Sequence, residues 1–134
     1  MKPRFFILIP IIFLFSCGKK TPDELIAGKW RMDKDATVHR SPELNSGNSF
    51  AMQFILSSME LNATEYKNDH TYSFIDVPTG KETPKGSWKF MNGGKQLVCV
   101  DSAGKESSEN IITLNADSLV TESSGLVFVS YREK

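Results

Sequence analysis

Thr21-Pro22-Asp23-Glu24-Leu25-Ile26-Ala27-Gly28-Lys29-Trp30 holds a helix and the start of a strand, and the change of rhythm across Gly28 decides how the rest of the chain reads. Thr21 followed three residues later by Glu24 is a capping box, with Pro22 at the first helical position and acids in the first turn. Gly28 can end that helix in the left-handed conformation. One or two turns carrying Leu25 and Ile26 should therefore precede Gly28-Lys29-Trp30. Beyond this point the apolar residues recur at every second position. Strands are expected at about 29–34, 62–67, 70–76, 86–91, 95–101, 108–115, 118–122 and 126–133. Asn68-Asp69, Asn92-Gly93-Gly94, Ala103-Gly104 and Asn115-Ala116-Asp117 supply the turns between them. Eight short, evenly spaced strands imply an antiparallel sandwich or an up-and-down barrel, and eight is a number that closes a barrel.

One stretch breaks the rhythm. Residues 35–59 separate the first two strands, and 48–59 reads as a helix carrying Phe50, Met52, Phe54, Ile55, Leu56 and Met59. Only Gln53, Ser57 and Ser58 give it polarity, so most of its circumference wants covering. It is either a packing helix or a lid over a pocket, with Phe50, Phe54 and Ile55 as the lid residues.

The N-terminus carries an address. Lys2 and Arg4 precede the apolar run Phe5–Phe15, interrupted only by Pro10, and Leu14-Phe15-Ser16-Cys17 follows. The run is too short to cross a hydrocarbon core as a helix, but it fits a cleaved export signal. Its ending resembles the lipobox of bacterial lipoproteins. That resemblance implies that residues 1–16 are removed, that Cys17 carries the acyl chains, and that 17–20 tether a domain spanning 21–134. Several acyl chains would make the membrane anchor effectively permanent. An ordinary secretory signal with a chance cysteine is the alternative. By the same resemblance, Gly18 rather than Asp after the cysteine favours the outer membrane, and Lys19 and Lys20 can rest against anionic headgroups.

Composition excludes some partners. The signal takes two of the 16 basic residues with it, leaving 14 against 16 acidic ones, which argues against nucleic acid. With Cys17 lipidated, Cys99 is the one thiol left, so no intrachain disulfide is expected and the fold must stand on its core. Cys99 lies among Leu97, Val98 and Val100 and reads as a buried, inert thiol. His39 and His70 are the only histidines, and no metal-ligand spacing, catalytic triad order or phosphate loop is present. No metal, cofactor or enzymatic activity is expected. Asp101-Ser102-Ala103 and Asp117-Ser118-Leu119 resemble a short bacterial O-glycosylation motif.

A capped helix followed by Gly28-Lys29-Trp30 is similar to the G-x-W opening of lipocalins and their calycin relatives. The resemblance implies an eight-stranded antiparallel up-and-down barrel closed by an arginine over the tryptophan, here Trp30 and Arg132. Guanidinium stacking on indole is a cation–π contact that leaves N–H donors for nearby carbonyls. The hairpin 60–74 and Gly86-Ser87-Trp88-Lys89-Phe90 resemble strands of small bacterial lipocalin-like lipoproteins. Compared with secreted lipocalins, neither their disulfides nor the helix after the barrel is expected here. The insert between strands one and two is similar to that of fatty-acid-binding proteins, but too few residues follow for ten strands.

In such a barrel the short turns at 68–69, 92–94 and 115–117 share the end occupied by the first helix. The long connections 35–59, 77–85 and 102–107 share the other end, which should point away from the membrane. If Arg132 faces inward, Ser130, Phe128 and Leu126 do too, whereas Val127, Val129 and Tyr131 face out and need a cover. Tyr72, Phe74, Trp88 and Phe90 are the candidate ligand lining, joined inside by Met32. These rings could also plug the lumen, so two functions stand: a binder of a small apolar or amphipathic ligand in the envelope, or a filled, non-catalytic module docking onto an envelope protein.

Overall fold

The computed structural model describes residues 18–44 and 50–134. Cys17, the expected signal stretch 1–16 and the Asn48–Ser49 start of the expected insert helix lie outside the described residues. Eight strands run in chain order as a closed antiparallel barrel. They are β1 Gly28–Met32, β2 Asn62–Tyr66, β3 Thr71–Asp76, β4 Glu82–Met91, β5 Gln96–Asp101, β6 Glu106–Leu114, β7 Ser118–Ser123 and β8 Leu126–Arg132. Among the described residues three α-helices accompany them: α1 Pro22–Ile26, α2 Lys34–Arg40 and α3 Phe50–Glu60. The fold is therefore the expected up-and-down barrel with a short leading helix and a helical insert between β1 and β2.

Helix α1 forms as its sequence dictates. The Thr21 hydroxyl accepts from Glu24 N at 3.3 Å, and the Glu24 carboxylate accepts from Thr21 N at 2.7 Å. The helix lies over the barrel end that carries the tight turns. Pro22 approaches Gly94, Asp23 Oδ2 meets His70 Nε2 at 3.2 Å, and Arg132 bonds to Ala116 O. Two of the three turns at that end thus touch the helix, and the third is held by Arg132.

The insert contains more helix than the sequence suggests. β1 stops at Met32 rather than running to residue 34, because Asp33 caps α2 by accepting from Ala36 N at 2.9 Å. This early stop leaves β8 half unpaired, since β1 matches it only over Trp30–Arg132, Arg31–Tyr131 and Met32–Ser130. Helix α2 supplies the missing partners. Thr37 Oγ1 accepts from Val129 N at 3.0 Å and lies 3.4 Å from Val129 O. Ser41 Oγ accepts from Val127 N at 2.7 Å and donates to Val127 O at 3.2 Å. Residues four apart on a helix rise ~6 Å, and residues two apart on a strand rise ~6.7 Å, so the two hydroxyls match the strand repeat. Both side chains are fully buried. A helix thereby seals a seam that strand pairing leaves open.

The expected rim of three long loops is corrected by longer strands. β4 begins at Glu82 instead of residue 86, and β6 at Glu106 instead of 108. The connections at the far end are therefore 33–61, which is long, and the short turns 77–81, 102–105 and 124–125. Pro84 made 82–85 read as loop, but it falls where the β3–β4 register shifts, a place that tolerates a residue without an N–H. On its other side β4 comes very close to β5 at Gly86, which pairs with Asp101. A Cβ on Gly86 would lie 1.9 Å from Val100 O, so only glycine fits there.

The core is split in two. Ile26, Tyr72, Trp88 and Leu97 form one cluster at the α1 end, joined by Tyr66, Phe90, Cys99, Ile111 and Leu114. Met32, Leu44 and Leu56 form another under α2 and α3, joined by Val38, Met52, Leu126 and Phe128. A bulge in β6 at Ile112 places Ile111 and Leu114 on the same inner face, which strict alternation would forbid.

Thr37→Val and Ser41→Ala should each lower unfolding free energy by about 1–3 kcal/mol, because each leaves a buried β8 backbone N–H unpaired. Urea titration measures this. Losses below about 0.3 kcal/mol for both would show that the α2–β8 seam carries no weight.

Candidate functional site

The barrel floor is built around Trp30. Its register partner across the closing seam is Arg132, whose guanidinium carbon lies 4.3 Å from the indole centre. The last carbonyls of α1 have no helical partners of their own, and this pair takes all three. Trp30 Nε1 donates to Ile26 O at 2.7 Å, Arg132 Nη1 to Ala27 O at 2.6 Å, and Arg132 Nη2 to Leu25 O. Arg132 Nε reaches Ala116 O at 2.6 Å, tying in the β6–β7 turn. Gly28 makes room for this arrangement. Its φ of +137° suits glycine, and a Cβ there would sit 2.2 Å from Arg132 Nη1.

Above that floor the lumen divides. At the α1 end the rings interlock: Tyr66 lies 6.0 Å from Trp88 and 6.2 Å from Tyr72, and Trp88 lies 5.7 Å from Phe90. His70 stacks on Trp88 at 4.4 Å, and the indole donates to Lys67 O at 3.2 Å. Towards the other end opens a cavity of about 440 Å³. Trp30, Met32, Tyr66, Phe74, Leu119 and Phe128 give it apolar walls. Asn62, Thr64, Thr121, Ser130 and Glu109 supply polar groups, and α3 contributes Phe54, Ile55, Ser58 and Met59 at its mouth.

The candidate lining residues therefore separate. Phe74 lines the cavity, whereas Tyr72, Trp88 and Phe90 pack into the closed end. Of the lid candidates, Phe54 and Ile55 face the cavity, while Phe50 is 88% exposed. Helix α3 is both packing element and cover: Leu56 and Met52 join the second core, and its next turn reaches over the opening. Its C-terminal end is held by Arg31 Nε donating to Glu60 O at 3.0 Å and Asn62 Nδ2 to Ser58 O at 2.8 Å. Of the outward strip, Val127 and Val129 are half-buried and Tyr131 is exposed. Helix α2 runs along that strand, whereas α3 packs against β1, β2 and α2.

Sequence reading missed Glu109. Its neighbours hide it, because Ile111-Ile112 puts an apolar residue on both faces of β6 and leaves the parity undecided. In the structure Glu109 lies opposite Leu97 in the β5–β6 register and lines the cavity. Burial pushes the Tyr66 hydroxyl well above its ordinary range, and the nearby Cys99 and Glu109 add to the effect. Burial likewise pushes the Cys99 thiol up to about 12, with Glu109 again contributing. Both groups keep their protons at neutral pH.

No protein-family model matches this chain, and no curated protein matches it either.

The thiol provides a direct check. In a Cys17→Ser chain, Cys99 should react with a thiol reagent at pH 8 about three orders of magnitude more slowly than an unperturbed cysteine. The rate should still be rising at pH 10, and denaturant should abolish the difference. Because the unfolded thiol ionises first, this residue's contribution to stability falls as pH rises above about 8.5 towards 12. Fast modification of the folded chain at pH 8 would show that Cys99 is not shielded.

Proposed function

We propose that the chain is a lipid-anchored, lipocalin-like protein of the bacterial envelope that holds a small apolar or amphipathic molecule in its barrel. The cavity of about 440 Å³ carries this reading. Its size falls within the range of small-molecule sites, and it combines apolar walls with a few polar groups, as such sites do. The filled α1 end leaves one open end, under α3. Burial holds the Cys99 thiol protonated, so it is a poor nucleophile.

The anchor rests on the sequence: a basic start, the apolar run Phe5–Phe15 and Leu14-Phe15-Ser16-Cys17. Gly18 to Lys20 lead directly into α1, at the end opposite the cavity mouth. With Cys17 acylated, the floor would face the outer membrane and the mouth would face the aqueous space. A second reading, docking onto an envelope protein, is favoured by one observation. Phe50, Phe54 and Leu61 are 88%, 67% and 51% exposed along and just beyond α3, more apolar surface than a helix facing water needs.

Two measurements test the proposal. Bacteria expressing the chain and fed labelled palmitate should label it and retain it in the membrane fraction, and Cys17→Ser should lose both label and retention. Native mass spectrometry of the gently purified chain should reveal a bound small molecule. A chain that is empty, excludes apolar reporter dyes and yet captures an envelope protein through α3 would favour the docking reading instead.

A further inference from the structure

The cavity's charge is one-sided. Among the described residues, Glu109 is the one charged side chain in its lining, set among hydroxyl and amide groups that can donate or accept. The cations nearby are engaged elsewhere. Arg132 lies behind the Trp30 indole and is spent on the carbonyls of Leu25, Ala27 and Ala116. Lys34 Nζ bonds to Ser57 at 3.2 Å, and Lys85 Nζ sits 4.9 Å above the Phe74 ring, outside the lining. None of the ion pairs formed among the described residues includes Glu109.

A carboxylate in a confined, mostly apolar space needs water or a donor. A ligand entering the cavity displaces that water and must replace what it gave. An anionic head would face Glu109 with like charge. A neutral head would leave the carboxylate only partly satisfied, whereas a protonated amine restores charge and donors together. Tyr66 and Cys99 cannot substitute, because both remain neutral. Under α3, Phe54, Ile55 and Met59 offer apolar surface suited to a hydrocarbon tail.

Resting on the ligand-binding reading above, we infer that the barrel selects amphipathic amines: a cationic head held at Glu109, with the hydrocarbon tail lying under α3. The test uses the full chain in an uncharged amphipol, titrated with decylamine, decanol and decanoate. Binding is followed by tryptophan fluorescence, since Trp30 lines the cavity. Decylamine should bind about tenfold more tightly than decanol, a typical gain for a hydrogen bond to a charged group, and decanoate should bind most weakly. Glu109→Gln should abolish the preference for decylamine over decanol. Equal or tighter binding of decanoate, or an amine preference that survives Glu109→Gln, overturns the assignment of the head while leaving the cavity as a binding site. Failure of all three compounds to bind overturns the ligand-binding reading and this inference with it. The ranking on the unmodified chain decides the matter even where the substitution disturbs folding.

Discussion

The contact of Arg132 with Trp30 lies on one of the three residue pairs that join the first strand of this barrel to the last. Closing a sheet removes its edges, but it demands that two strands from opposite ends of the chain meet in one register. The pair fixes that register and simultaneously caps the leading helix. Three orphan carbonyls of α1 are satisfied by donors from the two side chains, so helix, floor and seam form one unit. Gly28 belongs to the same unit, because any side chain there would collide with the guanidinium. The contact is mostly sheltered from water, where cation–π attraction and charge-assisted hydrogen bonds are strongest.

The seam has a second half with a different solution. Where β1 stops short, α2 offers two buried hydroxyls to the backbone of β8. This substitution of helix for strand brings the insert back across the mouth, so that α3 covers the lumen. The architecture thus assigns the two barrel ends opposite tasks. Interlocked aromatic rings fill the α1 end, and the α3 end keeps a cavity with a single carboxylate inside it. The lumen is neither plugged throughout nor hollow throughout. That division converts a structural barrel into a candidate receptor for a molecule with two chemically distinct ends.

Much of the fold was legible because period-two patterning and turn chemistry are local signals. Asn92-Gly93-Gly94 and Asn115-Ala116-Asp117 announce their turns without reference to the rest of the chain. Trp30 and Arg132 were paired only through the resemblance of Gly28-Lys29-Trp30 to the lipocalin opening, since no local signal links the two ends of the domain. What escaped was non-local. Helix α2, Lys-Asp-Ala-Thr-Val-His-Arg, has no apolar stripe; its burial depends on hydroxyls meeting a strand far along the chain. The irregularities at Tyr72/Ser73 and Ile111/Thr113 shift register and face in ways that alternation cannot foresee. Glu109 was lost to that ambiguity. Parity correctly placed Tyr72, Trp88 and Phe90 inside, but height along the barrel axis, which parity does not encode, decides whether an inward ring lines a cavity or fills a floor.

The account depends most on the two side chains acting together rather than as separate packing residues. A double-mutant cycle with Trp30→Phe, Arg132→Lys and the combined variant, read by equilibrium unfolding, isolates their coupling. The stacked, carbonyl-capping arrangement predicts a coupling of at least ~1 kcal/mol, with the second substitution costing much less once the first is present. Strictly additive losses would mean that arginine and indole contribute independently, and that barrel closure does not rest on their contact.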